Sequence, residues 1–168
     1  METKDAILRR KSVRCFSGTK LAWEDLEKIL FAGVQAPSGK NGQPWRFYVI
    51  QQDRKLFRQI SGLTVYDGFV RTADCLILVF LDKNESYHYI KDCQAVGACI
   101  ENMLLTVTDL GLGACWIGEI LNRDLYVRGL LKLGRRYDLM AALAVGHPKG
   151  ESEPAKKRDW KDCILSMR

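Results

Sequence analysis

The sequence predicts an α+β fold in three layers, on three observations. Segments of strand composition are mixed along the chain with segments of helical periodicity. One of the strands, Cys75 to Leu81 (CLILVFL), is a continuous apolar run, the pattern of a strand covered on both faces and so the candidate centre of a sheet. The segment from Tyr89 to Leu110 has the length of a long helix and is apolar nearly all round, so it must be covered on all sides. A sheet packed between helices satisfies both demands.

The remaining elements follow in order. A short helix at about residues 3 to 10 leads to a turn at Ser17-Gly18, and Ala22 to Val34 carries Leu26, Ile29, Leu30, Gly33 and Val34 on one helical face. Ala36 to Pro44 packs two prolines and two glycines with Ser38 and Asn41, which makes it an irregular loop. Arg46 to Gln51 is aromatic and β-branched and reads as a strand; Asp53 can cap a surface helix running to Ile60. In the long helix, Ile90, Cys93, Val96, Gly97, Ile100, Met103, Leu104 and Val107 mark one face, and Gly111-Leu112-Gly113 ends it. Ala114 to Gly118 is a short strand, Asn122 is the expected cap of a helix to Leu133, and Met140 to Gly146 is a buried strand. Lys149 to Arg158 reads as polar and mobile, and Cys163 to Leu165 as a terminal strand.

At 168 residues the chain has room for one domain, residues 1–168, and its 47% hydrophobic and 27% charged composition is that of a folded globular protein. No apolar run approaches the roughly 20 residues of a membrane span, and the acidic start does not read as a signal peptide, so the cytoplasm is the expected location and no membrane partner is expected. The six cysteines form no CxxC and the two histidines stand far apart, which argues against a metal site and for small buried hydrophobes in a reducing compartment. The net charge of +6 suits nucleic acid, an anionic membrane surface or a phosphorylated ligand. It gathers in short clusters, Arg9 to Arg14, Lys132 to Arg136 and Lys156 to Arg158, which favours a compact anion over the long basic stripe of a nucleic-acid surface.

Four segments carry a family resemblance. Arg9-Arg10-Lys11-Ser12-Val13-Arg14-Cys15-Phe16, Ala36-Pro-Ser-Gly-Lys-Asn-Gly-Gln-Pro-Trp45, Gly111-Leu-Gly-Ala-Cys-Trp-Ile-Gly118 and Ala-Val-Gly-His-Pro148 with Lys156-Lys157-Arg158 resemble, in order and spacing, the motifs of FMN-dependent nitroreductases. The resemblance implies a sandwich with a mixed, mainly antiparallel sheet, an intertwined homodimer with exchanged terminal segments, and FMN bound at the interface. It also implies NADH or NADPH as electron donor, with hydride passing through the flavin to a nitroaromatic, quinone or similar small molecule by a ping-pong mechanism. No side chain is expected to be catalytic, since the flavin carries the chemistry.

The implied cofactor site can be argued residue by residue. Guanidinium groups pair with phosphate oxygens through charge-assisted bonds, which suits Arg10 and Arg158, with Ser12 donating a hydroxyl and Lys11 and Lys156 adding charge. Arg14 resembles the cation that stabilises electron density along N1 and the C2 carbonyl of reduced flavin. Asn41 is either an ordinary turn residue or the amide that reads the pyrimidine edge. Pro37, Ser38 and Gly39 would lie against the ring from the partner subunit, Gln43 would order their loop, and Ile117 and Gly118 would neighbour N5. Trp45 and Trp116 could pack near the ring, but a tryptophan beside a strand is more often core, and the core is the expectation for both. The short span from Gly118 to Met140 leaves room for one helix and turn, so the segment over the substrate pocket is reduced.

Besides a relative with a broken site that only dimerises, two rival readings remain. A flavin-storage or sensing protein would share the cofactor residues without turnover. A basic nucleic-acid-binding dimer would use the same arginines on backbone phosphates, leaving the Pro37–Trp45 loop and the glycine turn without a purpose.

Overall fold

The computed structural model describes residues 1–150 and 155–167. Four strands, β1 (Trp45–Ile50), β2 (Cys75–Asp82), β3 (Gly113–Ile117) and β4 (Tyr137–Gly146), form one sheet in the order β1-β2-β4-β3. Every strand pair is antiparallel; the parallel component is one isolated bridge, Ser12 to Ala114. Helices α1 (Thr3–Arg9), α2 (Trp23–Val34), α3 (Arg54–Ser61), α4 (Asp67–Val70), α5 (Tyr89–Asp109) and α6 (Asp124–Leu130) complete the described elements, with 3-10 turns at Gly39–Asn41, Glu119–Arg123 and Trp160–Cys163.

All eight residues of β2 are buried, and their alternation explains why. Cys75, Ile77, Val79 and Leu81 join Leu26 and Ile29 of α2 and Val96, Ile100 and Met103 of α5 in one core. Leu76, Leu78 and Phe80 join Phe57 and Ile60 of α3, Val70 of α4 and Val127 of α6 in the other. The predicted three layers are therefore observed, with the sheet in the middle. Among the described residues, no helix is long and apolar enough to cross a membrane.

Local chemistry sets the element ends. Asp53 accepts a hydrogen bond from the Leu56 N–H at 2.9 Å and caps α3 as predicted. At the end of α5, Gly111 takes φ +71°, its N–H donates to the Thr108 carbonyl, and the Leu112 N–H donates to that of Val107. This doubly bonded turn requires a left-handed residue, hence glycine. Three expectations are corrected. Asn122 lies inside the 3-10 turn and caps nothing; Arg123 precedes α6, which ends at Leu130. Cys163 to Leu165 is no strand, because no described strand pairs with it and the outer edge of β3 is already met by Ser12. Ile90 is exposed rather than part of the buried face of α5. Residues 151–154, in the stretch read as mobile, lie outside the described residues.

One charged cluster ties the loop before β1 to the sheet. The Asp82 carboxylate is fully buried at the end of β2, where Arg136 donates to both of its oxygens, Arg46 approaches at 3.2 Å and the Asn84 N–H donates at 3.1 Å. The Arg136 bond, reinforced by the Asn84 bond and both positive charges, holds this carboxyl below its usual range. Asp82→Asn should lower the unfolding free energy by about 2 kcal/mol at neutral pH, since the charge-assisted bonds are lost while both guanidinium groups stay half-exposed to water. Because the folded pKa is depressed, this stabilisation is complete above about pH 4, the unfolded Asp value, and is lost as the pH falls further. Urea unfolding of both proteins between pH 3 and pH 7 checks it: the two midpoints should converge at the acid end.

Candidate functional site

The segment after α1 is laid against the sheet and aims its basic residues outward. The Val13 N–H donates to the Ala114 carbonyl at 2.9 Å, that of Ser17 to His147 at 2.9 Å, and that of Lys149 back to Cys15 at 2.9 Å. Val13 and Phe16 point inward and are buried, whereas Ser12 is half-buried and Arg14 exposed. Gly113 is required by this docking, since a Cβ there would press on the Val13 side chain at 2.9 Å. Both glycines of the Gly-Leu-Gly turn thus have structural causes, one a helix stop and the other a close approach, and neither bears on the choice of ligand.

The docked segment opens a cavity of about 390 Å³ lined by Ile7, Leu8, Arg10, Lys11, Ser12 and Arg14 together with Ala155 and Lys157. The two basic clusters from opposite ends of the chain therefore meet. It is Lys157 that lines this cavity, while Lys156 and Arg158, exposed on the same extended segment, do not. Arg10 is half-buried and lies 3.6 Å from Glu101 of α5. Arg14 lies near β3: burial raises the Cys115 thiol pKa, and the Arg14 charge offsets part of that rise. Ile117 is buried at the end of β3, and Gly118 is exposed, with nothing within 4 Å of where its Cβ would stand. Glu119, next in sequence, accepts from the Thr64 hydroxyl at 2.7 Å and the Val65 N–H at 3.2 Å, which holds its carboxyl below the usual range and anchors the turn.

The Pro37–Gly39 loop sits elsewhere, in a shallow cavity of about 420 Å³ with Tyr87, Lys91, Gln94, Ala95 and Ala98. Lys40, Asn41 and Gln43 all take positive φ, between 46° and 55°, which costs roughly 1 kcal/mol each for a residue other than glycine. Hydrogen bonds hold the loop in this shape. The Gln43 N–H donates to the Ser38 hydroxyl at 3.0 Å, the Gln43 amide to the Asn41 carbonyl at 3.3 Å, and Arg46 to the Gln43 carbonyl at 3.1 Å. Gln43 orders the loop as predicted, and Asn41 lies in its 3-10 turn with an exposed side chain. A Cβ on Gly39 would overlap the Tyr87 hydroxyl.

Sequence reasoning missed two things here. Tyr87 was not singled out, because nothing within its own segment announces that its ring fills the space beside Gly39. Trp116, expected in the core, is 40% exposed on the edge strand β3, whereas Trp45 is 4% exposed and packs in the core as predicted. Cys75, Cys99 and Cys115 are buried among apolar groups, and burial pushes the Cys75 and Cys99 thiols up to about 12, which makes them inert hydrophobes.

The sequence and fold are shared with known proteins. A family model described as "Nitroreductase family" matches residues 7–65 and 57–147. A candidate NADH dehydrogenase/NAD(P)H nitroreductase of Archaeoglobus fulgidus is 33% identical over 150 residues, 88% of this chain and 86% of its own. An iodotyrosine deiodinase of Thermotoga neapolitana is 32% identical over 135 residues, 66% of this chain and 70% of its own. The crystal structure of a candidate nitroreductase from Desulfovibrio desulfuricans, in complex with FMN, superposes with a TM-score of 0.95 at 38% identity, covering 100% of this chain and 98% of that one. The order of motifs, the three-layer fold and these matches lead to one conclusion: the chain belongs to the nitroreductase family.

Proposed function

We propose that this chain is an FMN-dependent oxidoreductase that takes hydride from NADH or NADPH and reduces a nitroaromatic, quinone or similar small acceptor, donor and acceptor using one open face in turn. The observation that carries this reading is the meeting of Arg10, Lys11, Ser12, Arg14 and Lys157 around one cavity. That donor set suits a phosphate bearing up to two negative charges, because guanidinium and ammonium groups supply charge-assisted bonds and the serine a hydroxyl. The FMN in the Desulfovibrio relative supports the same cofactor here.

FMN, when bound, supplies the redox chemistry. The chain's residues orient it and set the field around it. Arg10, Lys11, Ser12 and Lys157 hold the phosphate, and Lys156 and Arg158 add charge from the same segment. Arg14, exposed beside β3, would supply the cation that favours negative charge on the bound ring. Gly118, without a side chain and with open space before it, leaves room at the ring for a reactant and presents backbone rather than bulk. Ile117 fixes that backbone by its burial.

The site is completed by a second copy in this proposal. Pro37, Ser38 and Gly39 line a cavity separate from the basic one, which suits a ring that meets the two sets from different chains. Two further features favour a homodimer with exchanged C-terminal segments. Trp160, Ile164, Leu165 and Met167 are exposed on an arm unpacked against its own chain, and the apolar Ala98, Leu105 and Leu110 of α5 and the turn after it are only partly covered.

Three measurements test this. The absorbance spectrum of protein freed of excess FMN should show flavin bands that bleach on anaerobic addition of NADH or NADPH; bands that persist would instead indicate storage or sensing, and a protein that binds no FMN would sink the proposal. Arg14→Ala should lower the flavin midpoint potential and slow its reduction by NADH about tenfold or more, the size of one lost electrostatic stabiliser; a wild-type potential removes Arg14 from the ring. Removing residues 159–168 should turn a sedimenting dimer into a weaker one with reduced FMN affinity, and unaltered sedimentation would refute the exchanged arm.

A further inference from the structure

Positive charge that the cofactor reading does not use stands around Tyr87: Lys91 lines the Pro37–Gly39 cavity, and Lys40, outside its lining, lies over the same ring. The Lys40 ammonium lies 5.1 Å from the centre of the Tyr87 ring, and the Lys91 ammonium lies 5.6 Å from it. Among the described residues, neither lysine has a carboxylate within ion-pair distance. The acids of the neighbouring segment do not pair with these lysines. Glu85 faces Arg46, and one oxygen of the buried Asp92 accepts from the Ser86 hydroxyl and from the Tyr87 and His88 N–H groups. Both ammonium groups stand within 6 Å of one ring centre, so an anion bound beside that ring is attracted by two positive charges.

The rest of the lining fits a small aromatic body. Pro37, Ala95 and Ala98 are apolar, Tyr87 offers a ring, and about 420 Å³ lies near the lower end of the range for ligand pockets, so a single-ring compound fits better than a dinucleotide. The lysines are also held in place. Lys40 sits in a left-handed turn pinned by the Ser38–Gln43 bond, and Lys91 stands in the first turn of α5, whose start is fixed by the three bonds to Asp92.

We propose that Lys40 and Lys91 select an anionic aromatic electron acceptor, binding its carboxylate or sulfonate beside Tyr87 while its reducible group meets the flavin. This rests on the FMN reading above, in which Pro37–Gly39 borders the ring. For a nitro acceptor, each turnover consumes NADH and one proton, releases NAD⁺, and reduces the nitro group by two electrons to nitroso with loss of one oxygen as water.

The test uses the FMN-loaded protein with 4-nitrobenzoate and its neutral analogue 4-nitrobenzamide. The ratio of kcat/KM for the two acceptors should fall about fivefold in Lys40→Gln and in Lys91→Gln and more than tenfold in the double variant, the scale of a partly solvated charge pair. Lys91→Arg should keep the wild-type ratio. Calorimetric titration of benzoate into the oxidised protein should show the same weakening without turnover. Equal losses for both acceptors, an unchanged ratio, or a rise confined to the KM of NADPH, meaning that the lysines serve the donor's phosphate, would each overturn the proposal. Protein that takes up FMN and is bleached by NADH but shows no charge preference defeats this inference alone; protein that takes up no FMN defeats the functional reading with it.

Discussion

Burial of β2 on both faces is the constraint on which the other elements depend. A strand with eight buried residues cannot exist at a surface, so it needs a hydrogen-bonded neighbour on each edge and a helical layer on each face. β1 and β4 supply the edges, α2 and α5 one face, and α3, α4 and α6 the other. Once these are placed, the ends of the sheet are where polar chemistry collects. The buried Asp82 closes one end with two guanidinium groups, and Asp74 stands at the other, accepting from the Leu21 N–H and the Gln51 amide. Carboxylates can stand at such depths only because each is met by donors that the sheet itself positions.

The charged candidate cofactor residues, by contrast, are not in the core. Arg14 is exposed, yet its backbone is fixed because Val13 and Phe16 on either side are anchored in a core cluster. The same logic operates in the Pro37–Gln43 loop, where positive φ angles are held by short hydrogen bonds and by Arg46 reaching back from β1 to the Gln43 carbonyl. Arg46 is also a partner of Asp82, so the loop and the sheet end share one ionic cluster. Exposed reactive groups on rigid supports are the usual economy of a binding site.

Much of this was legible in the sequence because local patterns carried it. The apolar run of β2, the face of α2 and the Asp53 cap are set by neighbours in sequence, and they appear where the periodicity puts them. The Asn122 cap failed because a 3-10 turn intervened, a choice made by the Glu119 contact with Thr64, 55 residues away. The expected terminal strand failed for lack of a pairing edge, which is a property of the sheet and not of Cys163 to Leu165. Within the site, the basic clusters were legible as residue types, but which lysine faces the cavity depends on how the C-terminal arm lies. Of that cluster it is Lys157, between the two motif residues, that lines the cavity.

The interlock of Gly39 with Tyr87 reaches further than packing. Because the ring occupies the volume where any side chain at position 39 would stand, an enlarged residue there requires the Tyr87 ring to move or to shorten. The dependence runs one way across 48 positions of the chain: position 87 limits what position 39 can become. In descendants of this protein an enlarged residue at 39 is expected together with a displaced or shortened one at 87, which would also disturb the ring around which the two lysines gather. Drift in the loop's backbone is in this way coupled to the charge of the molecules the protein can admit.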